Sequence, residues 1–114
     1  MAYEWIKFTP EEAPRVTSAD VKKFSSLRGS HFFEAGAMRF FNSRVLGDTF
    51  AAADGSAVYF VTSERFDSST PRRYTVRICR PNYTVDSASE FQEFASSRAA
   101  KNAARRLAAQ EIAR

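Results

Sequence analysis

Arg73-Tyr74-Thr75-Val76-Arg77-Ile78-Cys79 alternates without a break. Successive side chains of a strand point to opposite faces, so Tyr74, Val76 and Ile78 share one side and Arg73, Thr75 and Arg77 the other. The pattern predicts one core face and one wet face, as in an antiparallel sheet packed on helices. Ala57-Val58-Tyr59-Phe60-Val61-Thr62-Ser63 is β-branched and aromatic and predicts a preceding strand. Asp54-Gly55-Ser56 turns into that strand, Asp67-Ser68-Ser69-Thr70-Pro71 is the loop between the two, and Arg80-Pro81-Asn82 makes the next turn. A third strand is expected within 83–94, irregular around Ser87-Ala88-Ser89. Phe91 and Phe94 do not alternate, which leaves a bulge or an early helix start open there.

Outside these strands the period is helical. Thr17 or Ser18 caps a helix over 18–28 that carries Val21, Phe24 and Leu27, with Gly29 just past its end. A helix over 33–46 would put Phe33, Ala37, Phe40, Phe41 and Val45 on one face, and Gly47 would end it. Its last residues, Asn42, Ser43 and Arg44, would approach the end of the strand near 62–65. Residues 1–16 form a leader. In it, Thr9-Pro10-Glu11-Glu12 has helix-start chemistry, but Pro14 limits growth to one turn. Trp5, Ile6 and Phe8 are available to pack back onto the domain. Ser96 or Ser97 caps a final helix over 97–112, built from good helix formers, with Ala100, Ala103, Ala104 and Leu107 as its buried stripe. The expected fold is α+β. A three-stranded antiparallel sheet packs on helices in the order α-β-β-β-α, as a single domain over 31–114 with an N-terminal extension over 1–30.

Composition supports a folded domain. Among 114 residues, 44% are hydrophobic and eleven are Phe, which is core-forming material that a disordered chain lacks. Cys79 stands alone, so a disulfide scaffold is impossible. No apolar run reaches membrane-spanning length, and the first residues lack signal-peptide character. The expected setting is therefore a reducing cytoplasm. The net charge is +4 but is unevenly spread: residues 1–64 sum to −1 and residues 65–114 to +5. Thirteen of the seventeen basic residues are Arg, whose planar donor fork suits phosphate and carboxylate. A basic half reads as a nucleic-acid surface, a surface for an acidic protein, or a solubility device.

On the final helix, Arg98, Lys101, Asn102 and Arg105 fall within roughly 100° of one another, opposite the alanine stripe. Arg98 and Lys101 stand near the positive end of the helix dipole, where cations are unfavourable but free N–H groups attract anions. Such a pair reads either as a phosphate site or as a solvated basic face. Ser96-Ser97-Arg98-Ala99-Ala100-Lys101-Asn102-Ala103-Ala104 resembles the second helix of double-stranded RNA-binding domains, with Ser97 in the place of the first lysine. The expected order of elements is similar to that family's fold. The resemblance implies that this helix N-terminus holds phosphates, and that the loop 65–73, with Arg65, Arg72 and Arg73, contacts a groove. The family's Gly-Pro-x-His loop pattern is absent here.

A second resemblance concerns Met38-Arg39-Phe40-Phe41-Asn42-Ser43-Arg44, Tyr59-Phe60-Val61-Thr62-Ser63-Glu64 and Arg72-Arg73-Tyr74-Thr75-Val76-Arg77. These stretches are similar to a family of small uncharacterised proteins of bacteriophages and mobile elements. That likeness implies a bacterial host cell and an accessory or counter-defence role. The aromatics in these stretches read as core, and Ser43 with Glu64 as a polar network or a contact surface. Arg77, on the expected wet face, reads as a partner contact or an ordinary solvated residue.

Little points to catalysis. His31 is the single His, and its adjacency to Ser30 is not triad geometry. One Cys and one His cannot make a zinc site, and four Gly make a phosphate-cradling loop improbable. No catalytic residue, metal or cofactor is expected, and neither a membrane nor a small-molecule substrate. The expected function is non-catalytic nucleic-acid binding by a phage or mobile-element accessory protein. Arg72, Arg73, Arg77, Arg98, Lys101 and Arg105 would contact duplex RNA or DNA. The alternative is a counter-defence inhibitor, anti-CRISPR-like, that grips a host protein or ribonucleoprotein complex.

Overall fold

The alternating stretch and the β-branched, aromatic stretch before it pair with each other in an antiparallel sheet. A computed structural model describes residues 5–29, 35–40 and 42–110. A 3-10 turn at Ala13–Arg15 precedes helices α1 (Ser18–Leu27) and α2 (Ala35–Phe40). Four strands follow, β1 (Arg44–Ala51), β2 (Val58–Glu64), β3 (Arg73–Cys79) and β4 (Val85–Ser87), and then helix α3 (Ser97–Gln110). The strands form a meander in the order β1-β2-β3-β4, every neighbour antiparallel. The class is α+β, as expected, but the sheet has four strands rather than three.

The additional strand corrects the expected helix over 33–46. That helix stops at Phe40 because Asn42 enters the left-handed region at φ 49°. Asn42 N–H donates to Arg39 O and Ser43 N–H to Met38 O, a Schellman closure. Arg44 then opens β1, opposite Ser63. The strand's two-residue period is hidden in the sequence by a register shift between Val45 and Thr49, around Gly47. Of Asn42-Ser43-Arg44, Arg44 meets the 62–65 end by backbone pairing, while Asn42 and Ser43 close α2. Ala37, expected in the core, is exposed, and Val45 packs from a strand. His31, Phe33 and Phe41 lie outside the described residues.

The strand expected within 83–94 shrinks to Val85–Ser87. Tyr83 and Gln92 adopt φ of 63° and 59°, which no strand can absorb, and pairing with β3 resumes only as a bridge between Tyr74 and Phe94.

The expected wet face of the sheet is largely covered, and every residue of β2 is buried. On one face, α3 packs Ala100, Ala103, Ala104 and Ala108 against Tyr59, Val61 and Val76. Small side chains let the helix axis approach the strands, while Leu107 sits at the margin, half-buried. On the other face the N-terminal segment supplies Ile6, Phe8, Ala13, Val16 and Val21 against Val58, Phe60, Cys79 and Tyr83. Phe8 meets Tyr83 edge-on at 5.3 Å between ring centres. Phe91 and Leu27 remain exposed. On α1 the inward position falls to Ser25 instead of Leu27, and its hydroxyl donates to Tyr83 O at 2.7 Å.

The helix starts follow the sequence chemistry. Thr9 and Glu12 exchange reciprocal hydrogen bonds ahead of the single 3-10 turn. Thr17 and Asp20 form a capping box on α1. Ser96 caps α3, its hydroxyl accepting from Ala99 N–H. Among the described residues no helix is long and apolar enough to cross a membrane.

Candidate nucleic-acid interface

The register of the sheet decides which arginines share an end. Arg44 stands opposite Ser63, and Ser63 opposite Tyr74. All three lie on the α3 face by strand alternation. Arg72, one residue before β3, donates from Nη1 to Ser63 Oγ at 2.8 Å. Arg65 follows β2 directly. Arg72 is half-buried, and burial comes first among the causes that push its pKa down, followed by the charges of Arg44 and then Arg65. Two guanidinium nitrogens here, Arg65 Nε and Arg72 Nη2, are buried without a hydrogen-bond partner. Buried donors left unsatisfied are costly, and charged ones more so.

The same end receives the N-terminus of α3. Phe94 bridges Tyr74, and Ser96 begins the helix two residues later. Further along, Lys101 Nζ meets Asp48 Oδ2 at 2.8 Å, and Ala53 N–H donates to Ala108 O at 3.3 Å. The helix therefore runs alongside β1 in the same direction, and exposed Arg98 stands in its first turn at the arginine-bearing end.

The six arginines and lysines singled out in the sequence are placed very differently. Arg72 and Arg98 share this end. Arg73 is spent on main chain, donating from Nε to Gln92 O at 2.7 Å and from Nη2 to Glu93 O at 2.8 Å, which pins the segment before α3. Lys101 is paired with Asp48, whose carboxyl is held below its usual range chiefly by that hydrogen bond. Arg105 lies over the Phe50 ring at 5.0 Å and donates to Asn102 Oδ1. Arg77 is not on a wet face: its residue is 9% exposed. It donates from Nε to Thr62 Oγ1 at 3.0 Å, from Nη1 to Ser87 Oγ at 2.6 Å and from Nη2 to Glu64 Oε2 at 3.3 Å. Glu64 also accepts from Thr75 Oγ1 at 3.0 Å. The polar half of the β3 alternation is thus an internal network. The expected pairing of Ser43 with Glu64 gives way to this set of partners. Burial lowers the Arg77 pKa, and the Glu64 charge opposes that shift.

Arg65 belongs to the loop expected to contact a groove, whereas the sequence expectation for Arg44 is only the end of a helix near the 62–65 strand end. Nothing in a single sequence sets Arg44 opposite Ser63, because the apparent helix over 33–46 conceals the strand.

A family model matches residues 17–105, most of the described chain and all of the sheet. The protein belongs to DUF7447, a family of unknown function. The match spans α1, the sheet and the first nine residues of α3, so it includes Arg44, Arg65, Arg72 and Arg98. No curated protein and no solved structure matches the chain.

Proposed function

We propose that this protein is a non-catalytic nucleic-acid-binding accessory protein of a bacteriophage or mobile element, acting in the bacterial cytoplasm. The observation that carries the reading is the gathering of Arg44, Arg65 and Arg72 at the end of the sheet where α3 begins with Arg98. Arginines gathered with no described carboxylate hydrogen-bonded to them favour a polyanion, because bringing like charges together costs energy that phosphates recover. Arg105, further along α3, extends the positive surface, while the charge of Lys101 is offset by Asp48. The likeness of Ser96–Ala104 to the second helix of double-stranded RNA-binding domains favours duplex RNA as the form bound. Such contacts give affinity without reading sequence.

Binding to a labelled duplex RNA and a matching duplex DNA, followed by anisotropy across salt concentrations, tests this. With about four phosphates engaged, log K falls with log salt at a slope of about −3 to −4. No binding to either duplex, or affinity indifferent to salt, overturns the proposal.

Exposed Trp5 and Phe66, at 65% and 64%, favour a second reading as a counter-defence inhibitor with a protein or ribonucleoprotein partner. A stoichiometric host protein that co-purifies after nuclease treatment supports that alternative.

A further inference from the structure

The N-terminal segment does not close fully against α1. Between them lies a cavity of about 450 Å³, within the range of small-molecule sites. Its walls are largely aromatic: Trp5, Phe8, Phe24 and Tyr83 all line it. Three of these rings touch. Phe8 stands edge-on to Tyr83, and the Phe24 ring lies 5.0 Å from it, tilted by 41°. The Tyr83 main chain is held on both sides, its N–H donating to Arg80 O and its carbonyl accepting from Ser25 on α1. Tyr83 is 5% exposed, yet among the described residues its hydroxyl makes no hydrogen bond. The buried side-chain atoms without a partner among those residues are Arg65 Nε and Arg72 Nη2 alone, so the unpartnered Tyr83 oxygen retains open surface.

Two carboxylates line the same cavity, Glu12 and the half-buried Asp20. Each is oriented by its capping bond. Glu12 Oε1 accepts from Thr9 N–H at 2.9 Å, and Asp20 Oδ2 from Thr17 N–H at 3.0 Å. Neither is ion-paired among the described residues, so both charges are available to a ligand. Both also act on the Tyr83 hydroxyl. Burial first, and then Asp20, the Cys79 thiol and Glu12, push its pKa up to about 12, so it stays protonated at neutral pH. Lys7 and Arg15 line the cavity as well, and Lys23 Nζ lies over the Phe24 ring, but none of these three charges is among those acting on the hydroxyl. The surroundings of the hydroxyl are therefore aromatic and acidic.

We propose that this cavity binds a small organic cation, a protonated amine on an aromatic or aliphatic body. The proposal is independent of the nucleic-acid reading. Aromatic rings attract cations electrostatically, and more strongly where water is excluded. The N–H groups of an ammonium would donate to Glu12, to Asp20 and to the Tyr83 oxygen, giving the enclosed hydroxyl the partner it lacks. The body of the ligand would lie against Trp5, which is otherwise 65% exposed. A neutral ligand leaves both carboxylates unmatched, and an anion meets them with like charge.

Trp5 is the single Trp of the chain, so its fluorescence reports occupancy. The full chain is titrated with phenethylammonium, phenethyl alcohol and hydrocinnamate, which share a ring and differ in the charge of the head group. The ammonium should bind about tenfold or more tighter than the alcohol, and hydrocinnamate should bind weakest. Tyr83→Phe removes only the hydroxyl and should weaken the ammonium by about threefold or more at an unchanged melting temperature. Glu12→Gln with Asp20→Asn should bring ammonium and alcohol to equal affinity. Should that double variant fold poorly, NMR of the parent decides: the Trp5 indole and Tyr83 ring signals should move with phenethylammonium over the same concentrations as the fluorescence. Equal affinity for the three probes, a preference for hydrocinnamate, or an ammonium preference that survives the double variant overturns the cation site. Silence of both signals to every probe at millimolar concentration overturns the cavity as a ligand site.

Discussion

Arg77 and Arg72 are five residues apart, and the sheet treats them in opposite ways. Arg77 projects from the N-terminal face into a set of acceptors, Thr62, Ser87 and Glu64, which together satisfy its three nitrogens. Arg72 lies at the end of the α3 face beside two other arginines, and one of its nitrogens has no acceptor. Both guanidinium groups are drawn out of water, but only Arg77 has a carboxylate bonded to it. A buried cation with matched partners organises the fold, while Arg72 is left with one nitrogen unmatched beside Arg44 and Arg65. The difference lies in the partners, since residue type and burial alone would group the two together.

The sharpest way to break the comparison is to leave Arg77 or Glu64 without its partner. Glu64→Gln or Arg77→Met strands one charge in a covered site and should cost about 3–5 kcal/mol in urea unfolding. The double variant Glu64→Leu with Arg77→Met should recover much of that loss. If the singles are as stable as the parent, the pair is not structural.

A backbone change on the same face comes next. Gly55 has φ 74°, and a Cβ there would run into the main chain of Pro10. Gly55→Ala should therefore cost about 1–3 kcal/mol and loosen the leader, seen as faster amide exchange at Phe8, whose N–H donates to Pro81 O.

Arg72→Ala should behave unlike either. Losing the hydrogen bond to Ser63 is offset by relief of repulsion from Arg44 and Arg65, so stability should move by less than about 1 kcal/mol. Its nucleic-acid affinity should nevertheless fall. A large loss of stability would move Arg72 into the same class as Arg77.

The smallest effect concerns Cys79, whose thiol burial pushes up to about 12. Between its ordinary pKa of 9.0 and that value, the unfolded chain has released a proton that the folded chain retains. Stability should therefore decline as pH rises above about 9. Native protein should resist thiol-specific labelling at pH 8, and denatured protein should react at once.

Local chemistry made much of the framework legible. The alternation of 73–79, the capping chemistry at Thr9 and Thr17, the alanine stripe of the last helix and the buried Ile6 and Phe8 all report short-range preferences. They have close counterparts in the structure. The failures cluster where a local pattern had two solutions. Phe40, Phe41 and Val45 fit a helical face, yet a left-handed Asn42 ends the helix and a bulge disguises the strand that follows. Thr75 and Arg77 read as solvent-facing because polarity normally marks the wet side, but polar groups also go inside when they satisfy one another.

By itself, then, the sequence determined the α+β class, most element positions and the +5 charge of the C-terminal half, since propensity, period and charge are properties of neighbouring residues. Only the tertiary structure decided that the sheet has a fourth strand and two covered faces. It also decided that Arg73, Arg77 and Lys101 are engaged internally while Arg44, Arg65 and Arg72 collect at one end. Strand register sets those groupings, by bringing together residues that are separated in the chain, Arg44 and Ser63 among them.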